Sequence, residues 1–247
     1  MGLKSMIMTW TAEIERDGFA IIREVFPASE VEALTADLTR ALAEPCDATF
    51  IRTRESHVYA ARNLLELWPP TSTVWCRPPL PDLLRAVLGP LFGLVRCLFF
   101  DKPPEQSWSL PWHKDLTIAV REHVTGSTRF TNPTRKAGVP HVVAPRDVLD
   151  QMLMLRIHLD DITEKNGPMN VIPGSHRNGK EMNIDDALFR PITVKRGDVL
   201  AIRPLVAHNS VPSHPDNTRH RRILHLEFAG SPELADGYRW HTFLTDQ

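Results

Sequence analysis

From residue 91 onward the chain consists of short apolar runs separated by turn residues, with no long helical pattern between them. Parallel strands need long crossover connections, usually helices, whereas antiparallel strands can be joined by short turns. This pattern therefore predicts a mainly β fold, in which an antiparallel sandwich or barrel is favoured over a doubly wound sheet. The expected strands cover residues 91–100, 116–120, 152–159, 169–174, 191–194, 198–204 and 222–228.

The first 90 residues have a different, largely helical pattern. A helix capped by Thr9 or Thr11 is expected to end at Gly18, and the β-branched run over 19–25 is expected to form a strand. Further expectations for this part are a helix capped by Ser29 with a buried stripe at Val31, Leu34, Leu38 and Leu42, an irregular stretch over 46–81, and a short helix over 81–89.

We expect a single domain over residues 1–247, because no linker rich in glycine and serine and no internal repeat divides the chain. In this interpretation residues 1–90 form a helical N-terminal portion that packs on one outer face of the sheets. Residues 91–230 form the β core.

Charge and cysteine content narrow the classes of partner. A formal net charge of -1 gives no global attraction to nucleic acid or to a membrane surface, so neither is expected as a partner. No window approaches about 18 uninterrupted apolar residues, and the N-terminus has no apolar core of signal-peptide length. Cys46, Cys76 and Cys97 are too few and too widely spaced for a disulfide framework, which favours free thiols in a reducing cytoplasm.

The segment "PWHKDL" over 111–116 places His113 and Asp115 two positions apart. Alternate residues of a strand share one face, so both side chains could bind one metal ion while Lys114 points away. Two ligands do not make a site, and a third is expected from a late strand. His208 follows the apolar run over 198–204 and is the best candidate.

Two histidines and one carboxylate on one face leave several coordination positions of an ion open. Non-haem Fe(II) needs such positions to bind a bidentate cosubstrate and O₂ together, whereas structural zinc requires a closed shell of four ligands. If the cosubstrate is 2-oxoglutarate, its second carboxylate requires a buried cation, for which an arginine is well suited. Arginines precede the last strand in "NTRHRRILHLEF".

Four blocks of the chain resemble the phytanoyl-CoA dioxygenase family of Fe(II)- and 2-oxoglutarate-dependent oxygenases, in particular its small bacterial members. They are "LFFDKPPEQSWSLPWHKDLTIAVRE", "KAGVPHVVAPRDVLDQMLMLRIHLDDITEKNGPMNVIPGSH", "GDVLAIRPLVAHNS" and "RHRRILHLEF". The resemblance covers residues 97 to 230, and it implies a double-stranded β-helix (a cupin-like jelly roll) with Fe(II), 2-oxoglutarate and O₂ as cofactor and cosubstrates.

The resemblance also implies roles for individual residues. His113, Asp115 and His208 match the metal ligands of the family, and Ser210 matches a serine that helps to hold the far carboxylate of 2-oxoglutarate. The carboxylate-binding arginine corresponds to Arg221 if this loop is two residues longer than usual, with Arg219 and Arg222 as alternatives. Lys102 and Arg156 match positions near the cosubstrate, although either could contact the substrate instead.

The remaining histidines and two tryptophans have less specific interpretations. Hydrogen-bonded structural roles are favoured for His158 and His225, and solvation for His214 and His220. His141 and His176 are expected in loops, where either could line the mouth of the site. Trp108 and Trp112 more often pack in a core than stack on a substrate.

The function favoured by the sequence is hydroxylation of an unactivated C–H bond of a small organic substrate, with release of succinate and CO₂. The carboxylate of Asp115 disfavours halogenation. The alternatives are an O₂-independent, cupin-like metal hydrolase or isomerase, and a non-catalytic binding module on the same scaffold. The mouth is expected from residues 50–75, 121–146 and 176–190, where Arg129, Arg135, Lys136 and Arg146 hint at an anionic group on the substrate.

Overall fold

The described residues of the structure, a computed structural model, form fourteen strands in three antiparallel sheets. These residues are 2–45, 47, 50–54, 57–104, 107–183, 185 and 188–245, so Cys46 lies outside them. The strands are β1 Phe19–Ile22, β2 Ile51–Arg54, β3 His57–Ala61, β4 Gly93–Phe100, β5 Leu110–His113, β6 Thr117–Ala119, β7 Thr131–Lys136, β8 Val139–Val143, β9 Met152–His158, β10 Met169–Val171, β11 Arg190–Ile192, β12 Val199–Ile202, β13 His208–Ser210 and β14 Ile223–Ala229.

The principal sheet has seven strands in the order β1-β12-β9-β14-β4-β3-β2, and a second sheet has the order β11-β10-β13-β5. Between these two sheets, Met154, Leu200 and Ile202 of the first share an apolar core with Val171 and Ile192 of the second. The two layers form the expected jelly roll. The third sheet, β6-β8-β7, has a separate apolar cluster.

The helices cover the outer face of the seven-stranded sheet. Strand alternation turns Leu153, Leu155 and Ile157 of β9 outward, and there they share one core cluster with buried residues of the N-terminal helices. This arrangement confirms the expected packing of the N-terminal helices on one face. The helices are α1 Leu3–Asp17, α2 Ala28–Ala43, α3 Leu64–Leu67, α4 Leu80–Leu88 and α5 Arg146–Asp150.

The predicted helix starts were wrong, although the ends were close. The first helix begins at Leu3 rather than near Thr9 or Thr11, and it ends as expected at Gly18, whose φ of 87° is the left-handed value that glycine tolerates. The second helix begins at Ala28 with Pro27 at its N-cap, so Ser29 lies inside the helix and does not cap it. Both helices therefore begin before the residues that look like caps in the sequence.

Five strands were not anticipated, and one of them is β13, which carries His208 as a separate strand beyond the one expected over 198–204. The stretch expected to be irregular contains the β2–β3 hairpin, which extends the seven-stranded sheet at one edge, and β7 and β8 lie in a region expected to be loop. Strand β7 is polar and exposed, so it lacks the apolar alternation on which strand prediction depends. Residues 1–90 thus supply three strands in addition to helices. Among the described residues, none of the helices has the length and apolar character needed to cross a bilayer.

Candidate metal centre and its cavity

The candidate metal centre begins with two histidines on neighbouring strands of the four-stranded sheet. His113 at the end of β5 is the cross-strand partner of His208 at the start of β13, and their ring centroids lie 4.3 Å apart. In each ring Nδ1 donates to a backbone carbonyl, that of Pro111 at 2.7 Å and that of Val206 at 2.9 Å. In the neutral rings these hydrogen bonds place the proton on Nδ1, so that Nε2 is the atom that can bind a metal ion.

Asp115 completes the group from a position just beyond β5, not from the same strand as His113. Its backbone N–H donates to the carbonyl of Pro204 at 3.0 Å, and its Oδ2 lies 3.6 Å from Nε2 of His208. Ligand atoms of the three residues all lie within 4.8 Å of one another. Lys114 points away, as expected, and donates to backbone carbonyls of Ser175 and Gly179.

The protonation states of the site suit metal binding. Burial alone would raise the pKa of Asp115, but His208, His225 and His113 outweigh it, so the pKa lies below its ordinary value. Burial lowers the pKa of His208 to about 4. At neutral pH the site therefore presents a carboxylate and a neutral imidazole, the forms that bind metal ions.

The donor set fits a catalytic rather than a structural ion. Two imidazole nitrogens and one carboxylate oxygen, arranged with open positions, are the set that non-haem Fe(II) prefers, whereas a structural zinc ion is enclosed by four ligands. Among the described residues, no fourth histidine, cysteine or carboxylate joins this group. His113, Asp115 and His208 could thus hold a metal ion that binds further ligands from the cavity.

A second polar cluster lies at one end of the same cavity. Arg221 is 2% exposed, its Nη2 donates to the hydroxyl of Ser210 at 3.2 Å, and its Nε has no hydrogen-bond partner among the described residues. Lys102 donates to the same hydroxyl at 3.0 Å and to the carbonyl of Val211. Both cations lie over the ring of Trp108, at 4.7 Å for Lys102 and 5.5 Å for Arg221.

Burial without a carboxylate partner is costly for these two cations. It lowers the pKa of Lys102 to about 6 and that of Arg221 to about 9, and each cation also repels its neighbours. A buried cation is stable only when paired, so this cluster is chemically complementary to an anion. The unpartnered Nε of Arg221 is the kind of donor that a carboxylate would satisfy.

The three arginines that the sequence left as alternatives occupy different environments. Arg219 lies at the surface, 3.9 Å from a carboxylate oxygen of Asp161. Arg222 makes a two-pronged ion pair with Asp160, with hydrogen bonds of 2.9 and 2.6 Å. Arg221 alone of the three lines the cavity.

A cavity of about 100 Å³ joins the two clusters, and most of its wall comes from strands of the two large sheets. Arg156 on β9 lies in the wall between them and makes no hydrogen bond or ion pair with any residue in the described part of the chain. The lining residues are Arg96, Leu98, Phe100, Trp108, Leu110, His113, Asp115, Arg156, Met169, His208, Asn209, Ser210, Arg221, His225 and Glu227.

Sequence reasoning missed a charged group on the opposite wall. Arg96 of β4 pairs with Glu227 of β14, and Nε2 of His225 lies 3.2 Å from the same carboxylate. Burial would raise the pKa of Glu227, but Arg96 and His225 more than compensate, so the pKa is lowered. Polar residues at alternate positions of apolar strands were the available signal, since one face of each strand is the cavity wall.

Several other expectations were wrong. Trp108 lines the cavity rather than packing in a core. His225 has the hydrogen bond that was expected for it, and it also lines the cavity. His141 is buried in β8, where its Nε2 lies 2.9 Å from Arg96, and is not a loop residue. His220 is bound to Asp101 rather than simply solvated.

The loops expected to form the mouth do not supply the cavity wall, because none of their described residues lines it. Arg129 and Arg146 are engaged in exposed ion pairs with Asp147 and Asp150. His158 is buried, and its Nδ1 donates to the backbone carbonyl of Asp198 at 3.2 Å, which agrees with the structural role expected for it.

Comparison with known proteins gives a family match over most of the chain. The model of the family described as phytanoyl-CoA dioxygenase (PhyH) matches residues 14–221. The ectoine dioxygenase of Sphingopyxis alaskensis is 28% identical over 171 residues, which are 67% of this chain and 48% of that protein. The phytanoyl-CoA dioxygenase domain-containing protein 1 of Danio rerio is 29% identical over 98 residues, 32% of this chain and 34% of that protein.

The chain thus spans about half the length, or less, of the curated relatives it matches. Among solved structures, EctD from S. alaskensis with bound Fe has a TM-score of 0.69 at 20% identity, with 93% of this chain and 76% of that chain covered. The α-ketoglutarate-dependent epimerase SnoN from nogalamycin biosynthesis has a TM-score of 0.63 at 16% identity, with 92% and 84% covered. At this level of identity the likeness shows the fold.

Proposed function

The chain belongs to the phytanoyl-CoA dioxygenase family, because the family model covers residues 14–221 of its 247 residues, and we propose that it is an Fe(II)- and 2-oxoglutarate-dependent dioxygenase. The proposed reaction is hydroxylation of a C–H bond of a small organic substrate, with conversion of 2-oxoglutarate and O₂ to succinate and CO₂. The family match and the geometry of the cavity support this proposal independently of each other.

The observation that carries the proposal is the presence of two complementary clusters in one cavity. His113, Asp115 and His208 offer an open set of metal ligands, and Arg221 with Lys102 offers a buried cationic cluster. A 2-oxo acid with two carboxylates has one end that chelates a metal ion and another that needs a cation. A hydrolase or isomerase that lacks this cosubstrate would need the second cluster only if its own substrate carried an anionic group.

Each residue has a definite part in the proposed mechanism. His113, Asp115 and His208 would hold Fe(II), which supplies the O₂ chemistry when it is bound. Arg221 would donate to the far carboxylate of 2-oxoglutarate through the Nε that has no partner in the described residues, and Ser210 would add its hydroxyl. Apolar residues such as Leu98 and Met169 exclude water from the reacting atoms.

The opposite wall gives an indication of the substrate. Arg96, Glu227 and His225 place a buried, charged and hydrogen-bonded group beside the candidate metal centre, and Nε of Arg96 and Nδ1 of His225 lack partners among the described residues. Such a wall suits a polar small molecule better than a long hydrocarbon chain, because apolar atoms cannot form hydrogen bonds with these unpartnered nitrogen atoms. We therefore include a polar small-molecule substrate in the proposal. A cytoplasmic location is also part of it and is consistent with the free thiol of Cys97.

The proposal is tested by following succinate formation from 2-oxoglutarate in the presence of Fe(II) and O₂, without added substrate. Slow uncoupled formation of succinate is expected from the unmodified chain and from His214→Ala, which changes an exposed histidine. It should be lost in His113→Ala. A chain that binds iron through His113 but never consumes 2-oxoglutarate would instead be an O₂-independent metalloenzyme, and a chain that binds neither would be a binding module.

A further inference from the structure

A second cluster of two histidines and one aspartate lies outside the cavity. His57 at the start of β3, Asp101 after the end of β4 and His220 before β14 come from three separate segments. Nε2 of His57 lies 2.8 Å from Oδ2 of Asp101, and Nδ1 of His220 lies 2.9 Å from the same oxygen. The ligand atoms of the three residues all lie within 4.8 Å of one another.

The backbone separates this cluster from the cavity. Lys102 and Arg221 exchange backbone hydrogen bonds of 3.2 and 3.1 Å, which continue the pairing of β4 with β14. Their side chains enter the cavity region, whereas alternation places the neighbouring Asp101 and His220 on the other side of the same ladder. The cluster therefore lies directly behind the cationic end of the cavity and shares no ligand with His113, Asp115 and His208.

Asp101 forms no ion pair with a lysine or an arginine among the described residues. Its side chain is only 3% exposed, and its partners in the described residues are the two histidines, the hydrogen bonds of its backbone aside. Arg221 is directed to Ser210, and Arg222 is paired with Asp160. A buried carboxylate whose only side-chain partners are imidazoles favours a positive charge in the group, and a metal ion bound by all three side chains would supply it.

We propose that His57, Asp101 and His220 form a second divalent-cation site, of the zinc class and separate from the iron centre. Two imidazole nitrogens and one carboxylate oxygen suit a first-row transition ion, as at the first site, and disfavour magnesium or calcium, which prefer sites made of oxygen atoms. Zinc is the member of this class that takes three protein ligands and a water molecule in a tetrahedral shell. Both histidine side chains are 37% exposed, so the ion can enter from solvent and a water molecule can complete a tetrahedral shell. Two ligands of a tetrahedral zinc ion at about 2.0–2.1 Å lie about 3.3 Å apart, so the hydrogen-bond distances to Oδ2 need to lengthen by about 0.5 Å to admit zinc.

A bound ion would connect three segments that position the cationic cluster. The backbone N–H of Asp101 donates to the carbonyl of Tyr59 in β3 at 2.8 Å, and the carbonyl of Asp101 accepts from the indole N–H of Trp108. Lys102 and Arg221 lie over the ring of this tryptophan. Zinc at this position would link β3 to the ends of β4 and β14. It would thereby hold Arg221 in place without contacting any ligand in the cavity.

The experiment uses the full chain with the first site removed by His113→Ala and His208→Ala. After treatment with a chelator, the protein is dialysed against buffered micromolar Zn²⁺ in excess Mg²⁺, and bound zinc is counted by mass spectrometry of the metal. One zinc ion per chain is expected. Adding His57→Gln and His220→Gln should weaken zinc binding at least about 100-fold, because glutamine can hydrogen-bond to Asp101 but is a poor ligand.

The matched control is His214→Gln, which changes an exposed histidine in the loop that precedes His220 and should leave zinc binding unchanged. Thermal unfolding gives an independent measurement. Zinc should raise the melting temperature of the background chain and of the control, and should not raise that of the glutamine variants. Failure of the folded background chain to bind zinc, or retention of zinc by the glutamine variants, would overturn the proposal.

Discussion

Arg221 and Lys102 donate to the same acceptor, the hydroxyl of Ser210, from 3.2 and 3.0 Å, and neither forms an ion pair with a carboxylate among the described residues. When both are charged they repel each other, and after burial this repulsion is the second reason why the pKa of Lys102 falls to about 6. This end of the cavity is therefore complementary to an anion. This anion-binding cluster, more than the metal ligands, distinguishes a 2-oxo acid oxygenase from other metalloenzymes with a similar ligand set.

The first prediction concerns Arg221. Replacing it by methionine should weaken anaerobic binding of 2-oxoglutarate at least about 30-fold, because loss of a buried charged partner costs about 2 kcal/mol or more. Isothermal titration calorimetry in the presence of Fe(II) measures this. Arg219→Met is the matched control, since Arg219 is exposed. The affinity of this variant for 2-oxoglutarate should stay within about threefold of that of the unmodified chain. Equal losses in both variants would exclude the assignment.

The second prediction concerns Arg156, a cavity cation that makes no hydrogen bond or ion pair in the described part of the chain, although the carboxylate of Asp115 attracts it. Burial lowers its pKa, so its charge costs folding free energy. We expect Arg156→Leu to leave the free energy of unfolding unchanged or to raise it by up to about 2 kcal/mol. The same change should weaken the binding of 2-oxoglutarate or of substrate. A less stable variant with unchanged ligand binding would instead indicate a structural role.

The third prediction is a pH dependence that arises from His158. Burial, with Arg156 nearby, lowers the pKa of its imidazole from 6.5 to about 3. The unfolded chain therefore takes up a proton near pH 6.5 that the folded chain takes up only near pH 3. The stability linked to this group is complete above pH 6.5 and is lost as the pH falls toward 3.

Urea unfolding at constant ionic strength measures this dependence. Between pH 7 and pH 5 the group should account for roughly 1–2 kcal/mol of lost stability. His158→Asn, which can keep the hydrogen bond to the carbonyl of Asp198, should remove that part of the slope. An unchanged slope in the variant would show that other groups, such as the buried His141, are responsible.

The fourth prediction tests the turn before β12. Gly197 has a φ of 85°, and an added Cβ would lie 2.1 Å from the carbonyl oxygen of Phe26. Gly138 has a similar φ of 76° with open space around it. Gly138→Ala should thus cost about 1–2 kcal/mol of unfolding free energy from backbone strain alone, and Gly197→Ala at least about 2 kcal/mol more. Similar losses would show that Phe26 can move away.

The sequence predicted the β core because the relevant strands are buried and strongly apolar. Strands β4, β9, β12 and β14 fall within or close to the expected runs, since a buried strand has few polar residues to obscure it. The exposed, polar β7 gave no such signal, and the hairpin β2–β3 was hidden by its charged residues. Helix starts were misplaced because a serine or threonine inside a helix looks like a cap in the sequence.

The candidate site was predicted in part. The group of His113, Asp115 and His208 was anticipated, but Asp115 does not share a strand with His113, because β5 ends first. The choice among Arg219, Arg221 and Arg222 depends on which side chain turns inward, and only three-dimensional pairing of the strands determines that. The partnership of His57, Asp101 and His220 joins residues up to 163 positions apart and has no local signal.

The central claim is that one cavity binds Fe(II) and 2-oxoglutarate together. It is tested most directly by anaerobic titration of the purified chain with Fe(II) and then 2-oxoglutarate, with visible absorption as the readout. We predict a weak charge-transfer band that appears only when both are present, that is absent in His113→Ala, and that requires much more 2-oxoglutarate in Arg221→Met. A chain that binds iron through His113, Asp115 and His208 but gives no band with saturating 2-oxoglutarate would contradict the account.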